Sequence, residues 1–442
     1  MPLLSAHRTR LAAAAVTLLS VLPGAAASPP AAAKTATVKV AVSTTPAGTS
    51  SLALGVTHTQ YSLDAWGDPA AVSAGRSLLA AAPLQQNQHI MGWGALNPEP
   101  SPGVYDWKTL DARVGLMVAT TATPTITFAG APDWMKGGTA GATDWSKLEV
   151  APLPEFYDDF AHLAATVAQR YPQVRRFQVW NELKGFHDPT TNRWDAAAYT
   201  DMYNQVHDAV TSVRPDAVIG GPYVVIDSWG TASAGGFPSS LYGPWGIIDQ
   251  RSLDVVTYWL ANSRGGDFLS VDAKSSTRDK GLLGSPFEAI QKFVTATDWL
   301  RARTGLPIVW SEWYPIATSS DVAEQSAVLA EGLAAVATAG ASGVLLWGPQ
   351  CVAPATSGCL FTDTRVAGGG VKTRLYDVTV AFARSFGPGA AFRSTSVSSP
   401  SVRVLATPAT LLLVNKTAAK VAISGVKGVT ALAPYEVRFV AR

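Results

Sequence analysis

The sequence predicts an α/β fold, a (β/α)8 TIM barrel followed by a small C-terminal β-sandwich. Three observations carry that expectation. From Leu52 onward, eight apolar strand-like segments recur with helical patterns between them, as a parallel barrel requires. Two of those segments end in a glutamate framed by aromatic residues, Phe177-Gln178-Val179-Trp180-Asn181-Glu182 and Ile308-Val309-Trp310-Ser311-Glu312-Trp313-Tyr314. Beyond Phe386-Gly387-Pro388-Gly389 the texture changes to short, alternating, Ser/Thr-rich runs separated by turn residues, the pattern of a small sandwich. A chain of 442 residues suits a barrel of roughly 250–350 residues plus an accessory piece.

Residues 1–27 read as a secretion signal. His7, Arg8 and Arg10 supply a positive start, Leu11 to Leu22 a short apolar run, and Ala25-Ala26-Ala27 a small-residue cleavage pattern before Ser28. The apolar run falls short of the roughly 20 residues that a membrane span needs. The sequence therefore predicts a secreted, extracellular protein with no membrane attachment after cleavage. Residues 28–50, rich in Ala, Pro, Thr and Ser, read as a flexible leader. Within them Thr37-Val38-Lys39-Val40-Ala41-Val42 alternates, as a strand added to another sheet would.

The barrel is expected over 51–388. Its strands fall near Leu52–Val56, Gln88–Met91, Pro124–Phe128, Phe177–Trp180, Val218–Gly220, Phe268–Val271, Ile308–Trp310 and Gly343–Trp347. Helices read most clearly at Glu155–Arg170, Ala196–Val213, Pro286–Thr304 and Val322–Ala339, the first with Pro154 ahead of an acidic turn and Tyr171-Pro172 behind it. Gly230 to Gly246, rich in Gly, Ser, Pro and aromatic residues, is a long loop after the fifth strand, placed to shape a pocket. The sandwich, over 389–442, takes Val402–Ala406, Thr410–Val414, Lys420–Ile423 and Tyr435–Val440 as strands.

Composition narrows the function classes. Charged residues are 15% of the chain, and loss of Arg8 and Arg10 with the signal lowers Lys+Arg from 34 to 32, equal to the 32 Asp+Glu. A near-neutral chain has no field to steer a polyanion, so nucleic acid is excluded and carbohydrate fits. Two cysteines occur, Cys351 and Cys359, in a Pro/Gly-containing loop. In an exported protein they read as a structural disulfide, and no nearby His completes a metal site.

A carboxylate at the C-terminal end of a buried parallel strand lies where such barrels keep their chemistry. Two of them, Glu182 and Glu312, among Trp and Tyr, suit glycosidic cleavage: one protonates the leaving oxygen, the other attacks or activates water, and sugars stack on aromatic faces. No metal or organic cofactor is required.

With these residues in view, the chain resembles clan A glycoside hydrolases, most closely glycoside hydrolase family 39. The resemblance covers roughly 50–442 and rests on Trp180-Asn181-Glu182, Trp310-Ser311-Glu312, Val104-Tyr105-Asp106-Trp107 with Leu110-Asp111, and Ala131-Pro132-Asp133-Trp134-Met135. It implies a retaining mechanism, with Glu182 as acid/base, Glu312 as nucleophile and Asn181 on the sugar 2-hydroxyl. Glu312 must then be ionised and Glu182 protonated for the first step, and the Glu312 charge is expected to raise the Glu182 pKa.

The sixth strand departs from the family. Many relatives carry a His or Tyr there, whereas this chain reads Leu269-Ser270-Val271-Asp272-Ala273-Lys274, so Asp272 and Lys274 are candidate substrate contacts. His58 after the first strand and Trp93 after the second are further candidates, although a lone His is commonly a structural residue. Trp134, Trp313 and Trp347 lie at or just past strand ends, Trp347 as the substrate floor, and Tyr314 either bonds near Glu312 or packs. The expectation is a glycosidase on plant or microbial polysaccharide or its side chains, exo-acting because 229–246 and 351–359 close one end of a cleft. The alternatives are an endo-acting cleft or a catalytically silent carbohydrate-binding barrel.

Overall fold

The computed structural model describes residues 37–442 other than 64–65, 122, 232–233 and 353–357. The expected signal over 1–27 and the leader over 28–36 lie outside the described residues.

Eight parallel strands close a barrel in sequence order: Ala53–Thr57, Gln85–His89, Pro124–Phe128, Arg176–Val179, Val218–Val225, Phe268–Lys274, Ile308–Tyr314 and Gly343–Trp347. Helices fill the crossovers, among them Tyr157–Arg170, Ala196–Val213 and Val322–Ala339. Aspartates start several of them. The Asp195 and Asp321 carboxylates accept from the backbone amides of Ala198 and Ala323, which satisfies otherwise unpaired first-turn donors. The segment expected as one helix over 286–304 is two, Pro286–Ala289 and Gln291–Arg301. Val322–Ala339 is apolar almost all round because it is covered on both sides, by the barrel and by the accessory sheet.

The second strand was expected at Gln88–Met91 and lies at Gln85–His89. Its sequence, Gln-Gln-Asn-Gln-His, lacks the apolar signature, yet Gln86, Asn87, Gln88 and His89 are all buried. Most of these side chains bond to one another's neighbours across the barrel. Asn87 Nδ2 donates to Thr57 Oγ1 (3.3 Å), Thr127 Oγ1 donates to Asn87 Oδ1 (2.8 Å), and Gln178 Nε2 donates to Thr127 Oγ1 (3.2 Å). Ser270 and Ser311 both donate to Gln178 Oε1, and Thr57 Oγ1 returns to the Ser311 carbonyl (3.2 Å). Strands one, two, three, four, six and seven are thus tied into one ring of hydrogen bonds.

The second unit is a seven-stranded sheet in the order 431–432, 421–424, 38–49, 391–397, 402–406, 410–415, 437–441. Residues 37–50 are therefore corrected from leader to strand. Val38–Thr49 runs antiparallel to Ala391–Val397 and parallel to Val421–Ser424. Alternation explains it: Val38 and Val40 join Val402, Val404, Leu411, Leu413, Val421 and Ile423 in a core of their own. On the opposite pleat Leu405, Leu412 and Val414 pack with the barrel core. Arg403 and Lys416 of this sheet each stand 3.9 Å from buried Glu331 on the covering helix.

The segment 230–246, expected as a loop, carries most of a small antiparallel sheet of Ser228–Trp229, Pro238–Gly243 and Gly246–Asp249. Cys351 and Cys359 are disulfide-bonded.

The Gln178 side chain bonds three members of the ring, Thr127, Ser270 and Ser311. Gln178→Leu should lower the unfolding free energy by about 3 kcal/mol, because it strands buried hydroxyls. Denaturant unfolding checks this, and an unchanged midpoint would show that the ring carries no stability.

Candidate active site

Strand four delivers Glu182 through a strained turn. Trp180 (φ 69°), Glu182 (φ 52°) and Leu183 (φ 49°) all sit in the left-handed region that non-glycine residues avoid. Such conformations cost on the order of 1–3 kcal/mol each and persist only where the surroundings hold them. Here Trp180 N donates to the Phe128 carbonyl (2.8 Å) and Trp180 Nε1 to the Lys184 carbonyl (2.7 Å). Gly185 (φ 82°) ends the turn, where a Cβ would lie 2.2 Å from Ala151 N. The turn points Glu182 up from the strand and brings Lys184 Nζ to 2.8 Å from Glu182 Oε2 and onto Glu149 as well.

Strand seven supplies Glu312, 3% exposed. Tyr223 OH donates to its Oε1 (3.0 Å) and Tyr314 OH to its Oε2. Strand six supplies Asp272, paired in register with Glu312 across an irregularity between Val271 and Asp272. Such a shift re-aims a side chain, here into the barrel mouth. The result is a triad of carboxyls, Glu182, Asp272 and Glu312, with oxygens all within 4.8 Å of one another. That spacing would admit a cation, but Lys184 already brings positive charge to Glu182.

The protonation pattern differs from the sequence expectation. Burial pushes Glu182 up, but the hydrogen bond from Asp272 and the Lys184 ammonium outweigh it, and the group lies below the usual glutamate range. Burial raises Asp272 far above the usual aspartate range, with the Glu312 and Glu182 charges adding to it. Burial and the Glu182 charge push Glu312 up to about 8 against its two tyrosine donors. The raised groups are thus Asp272 and Glu312, where the sequence pointed to Glu182. The physical reasons are the burial of Asp272 and Glu312 and, at Glu182, the hydrogen bond from Asp272 followed by the Lys184 charge, none of which a strand pattern announces.

A cavity of about 770 Å³ opens beside the triad. Glu182, Asp272 and Lys274 line it, with Lys184, Trp194, Trp229, Arg251 and Arg278 on its walls. The hairpin of His187–Asp188 with Arg193–Trp194 and the sheet at 228–249 build those walls. Tyr314 meets Glu312 directly, and the Lys274 ammonium stands 5.5 Å over the Tyr314 ring.

Around Asn181 lies a second group. Asn181 is 4% exposed, with its side chain against His89. Trp93 lies on His89 (centroids 4.4 Å) and edge-on to Trp347 (6.2 Å). His89 is a site residue that the sequence reading missed. It is fully buried beside the Asn181 amide oxygen, which lies where it can accept from the ring, and burial holds it neutral, with a pKa of about 3. Its signal was a polar residue ending an already polar strand, which apolar scanning passes over.

Three candidates are corrected. His58 is wholly inside the barrel, its Nε2 2.9 Å from Gln86 Oε1, because the residue after strand one turns inward. Trp134 is pinned beneath the surface, its Nε1 donating to the Glu99 carbonyl (3.0 Å) and its ring against Phe156. Trp313 alternates outward from Glu312, so it packs on Phe293 under the helices and away from the mouth.

No protein-family profile matches the sequence, and no curated protein matches it. Solved structures do. A conserved exported protein from Bacteroides fragilis superposes with a TM-score of 0.63 at 11% identity, over 92% of this chain and 98% of that one. A monomeric β-xylosidase from Caulobacter crescentus CB15 gives 0.55 at 16% identity, over 89% and 78%. The GH39 enzyme from Xanthomonas axonopodis pv. citri gives 0.54 at 16%, over 89% and 76%. This chain shares the fold of these proteins, two of which are described as a β-xylosidase and a GH39 enzyme. A GH30 xylanase from Talaromyces cellulolyticus shares it too, at 0.53 and 12% identity.

Lys184→Met should move the Glu182 titration upward, since a cation 2.8 Å away favours the anion. Carbon-13 NMR of labelled glutamate reads it. A Glu182 titration that stays put would remove the ion pair as its cause.

Proposed function

We propose that the chain is a secreted glycoside hydrolase that works with retention on a polysaccharide or its side chains. The observation that carries this reading is the approach of Glu182 and Glu312 at the ends of strands four and seven, with carboxylate oxygens within 4.8 Å. Retaining pairs stand about 5–5.5 Å apart, and inverting pairs leave a wider gap for water. In the first step Glu312 attacks the anomeric carbon while Glu182 protonates the departing oxygen. In the second step water, deprotonated by Glu182, displaces Glu312.

Each role has a physical support. Tyr223 and Tyr314 fix both oxygens of Glu312, which orients the nucleophile and spreads its charge. Glu182 stands at the cavity, where a leaving group would exit. Asn181 and His89, side by side and next to Trp93 and Trp347, offer polar groups and a ring surface to a sugar at the point of cleavage. Walls at 187–194 and 228–249 favour a cavity closed on one side, hence exo-action. Secretion rests on the signal pattern at 1–27 and on the disulfide. The neighbouring structures are described as a β-xylosidase and a xylanase, among others, so the sugar is left to measurement.

The test is a panel of aryl glycosides and oligosaccharides, with NMR of the newly released anomer. Glu312→Ala should cut kcat by roughly ten-thousand-fold or more, and the first-formed product should keep the configuration of its substrate. Silence of the wild type across the panel would favour the carbohydrate-binding alternative.

The pH profile follows from Glu312. A nucleophile works ionised, so kcat/KM climbs as pH rises through its pKa. With that value raised to about 8, the acid limb should lie near or above neutrality. A limb near the usual glutamate value of about 4.3 would contradict this environment.

A further inference from the structure

The glycosidase reading assigns two carboxyls, and the site holds three. The third is not a bystander by position. Asp272 is 2% exposed, shares the barrel mouth with both glutamates, and is brought there by an irregular register between strands six and seven. Three carboxylates within 4.8 Å cannot all be ionised away from water, so the triad must hold protons.

Which oxygens hold them is set by the partners. Glu182 has an ammonium at 2.8 Å. Glu312 has two phenol donors. Among the described residues Asp272 has neither an ion pair nor a side-chain donor from outside the triad. The other charges around it are Lys274, two residues along its own strand, Asp227 after strand five, and Lys292 from the helix outside, whose ammonium is already bonded to the Lys274 carbonyl (2.8 Å). Tyr223 and Tyr314 face it from strands five and seven but spend their protons on Glu312. The arrangement leaves a conflict in the plain two-carboxyl scheme: the acid, Glu182, is held as an anion by Lys184.

We propose that Asp272 resolves this conflict as the proton reservoir of the acid, holding the catalytic proton against Glu182 and passing it through that carboxylate to the departing glycosidic oxygen. This rests on the glycosidase reading. The step balances: the Glu312 carboxylate forms the glycosyl ester, the C–O bond breaks, and the single proton of the pair moves from Asp272 to Glu182 and on to the leaving oxygen, which leaves both carboxyls of the pair ionised. Hydrolysis of the ester by water then returns one proton to the Glu182–Asp272 pair. Asp272 touches the reacting atoms only through Glu182, so it is a positioning residue for the proton. Burial and the neighbouring glutamate charges agree with a neutral Asp272.

The test pairs a titration with kinetics. Carbon-13 NMR of labelled aspartate, with Asp272→Asn to assign the signal, should find Asp272 protonated at pH 7. Asp272→Asn should then lose about a hundred-fold or more on glycosides with poor leaving groups and only a few-fold on activated aryl glycosides, and its alkaline limb should move to lower pH. Asp272→Glu should restore part of the loss. If Asp272→Asn does not fold, Lys184→Met supplies the kinetic arm. By letting Glu182 keep a proton unaided, it should move the alkaline limb upward. An ionised Asp272 at pH 7 overturns the inference whether or not a substrate is found. So does an equal loss on all substrates with an unmoved limb. A wild type silent on every glycoside, with Asp272 protonated, overturns the glycosidase reading instead and the transfer step with it.

Discussion

The hydrogen-bond ring inside the barrel is the constraint on which the site depends. Thr57, Asn87, Thr127, Gln178, Ser270 and Ser311 join six strands at one level. Glu312 directly follows Ser311, Asp272 stands two residues beyond Ser270, and Glu182 four beyond Gln178. An apolar layer would fill the same space but would leave each strand free to slide against its neighbours. A polar ring does not tolerate sliding, because a shift of one residue orphans several buried groups at once. The carboxyl spacing is inherited from that ring.

Above it, charge is divided unevenly by design of the surroundings. Glu182 receives a cation, Glu312 receives two neutral donors, and Asp272 receives burial first, with the charges of its two glutamate neighbours added to it. Cation, donor and burial are the three ways to set a carboxyl's proton affinity, and here one chain uses each of them within 4.8 Å. The strained backbone at 180–183 belongs to the same arrangement, since a relaxed turn would swing Lys184 off Glu182.

The barrel was legible because parallel strands buried on both faces announce themselves as apolar runs, and seven of the eight do so here. The strand that hid is the one whose residues face the ring, where Gln and Asn are core residues. The meeting of Glu182 and Glu312 was foreseeable because strand ends with aromatic frames are local signals. Trp313 was misplaced because strand alternation was not applied past the glutamate, and His58 because a position after a strand does not say which way its ring turns. His89 and the proton distribution depend on contacts between distant segments, Lys184 with Glu182 and Glu149 among them, which no window of sequence contains. The strand at 38–49 had its alternation in plain view, but its partners lie some 350 residues away.

That last pairing bears on how the protein is made. The strand at 38–49 is synthesised well before its partners, 391–397 and 421–424, which follow it by some 350 residues. It lies in the interior of its sheet, so no partial chain can complete the sheet. Until those later strands are made, Val38 and Val40 have no core to enter, and the helix over 322–339 lacks the cover that Leu412 and its neighbours give. The accessory sheet thus acts as a clasp, fastened only when segments far apart in the chain meet, and a product lacking 391–424 carries an open edge that chaperones and proteases can recognise.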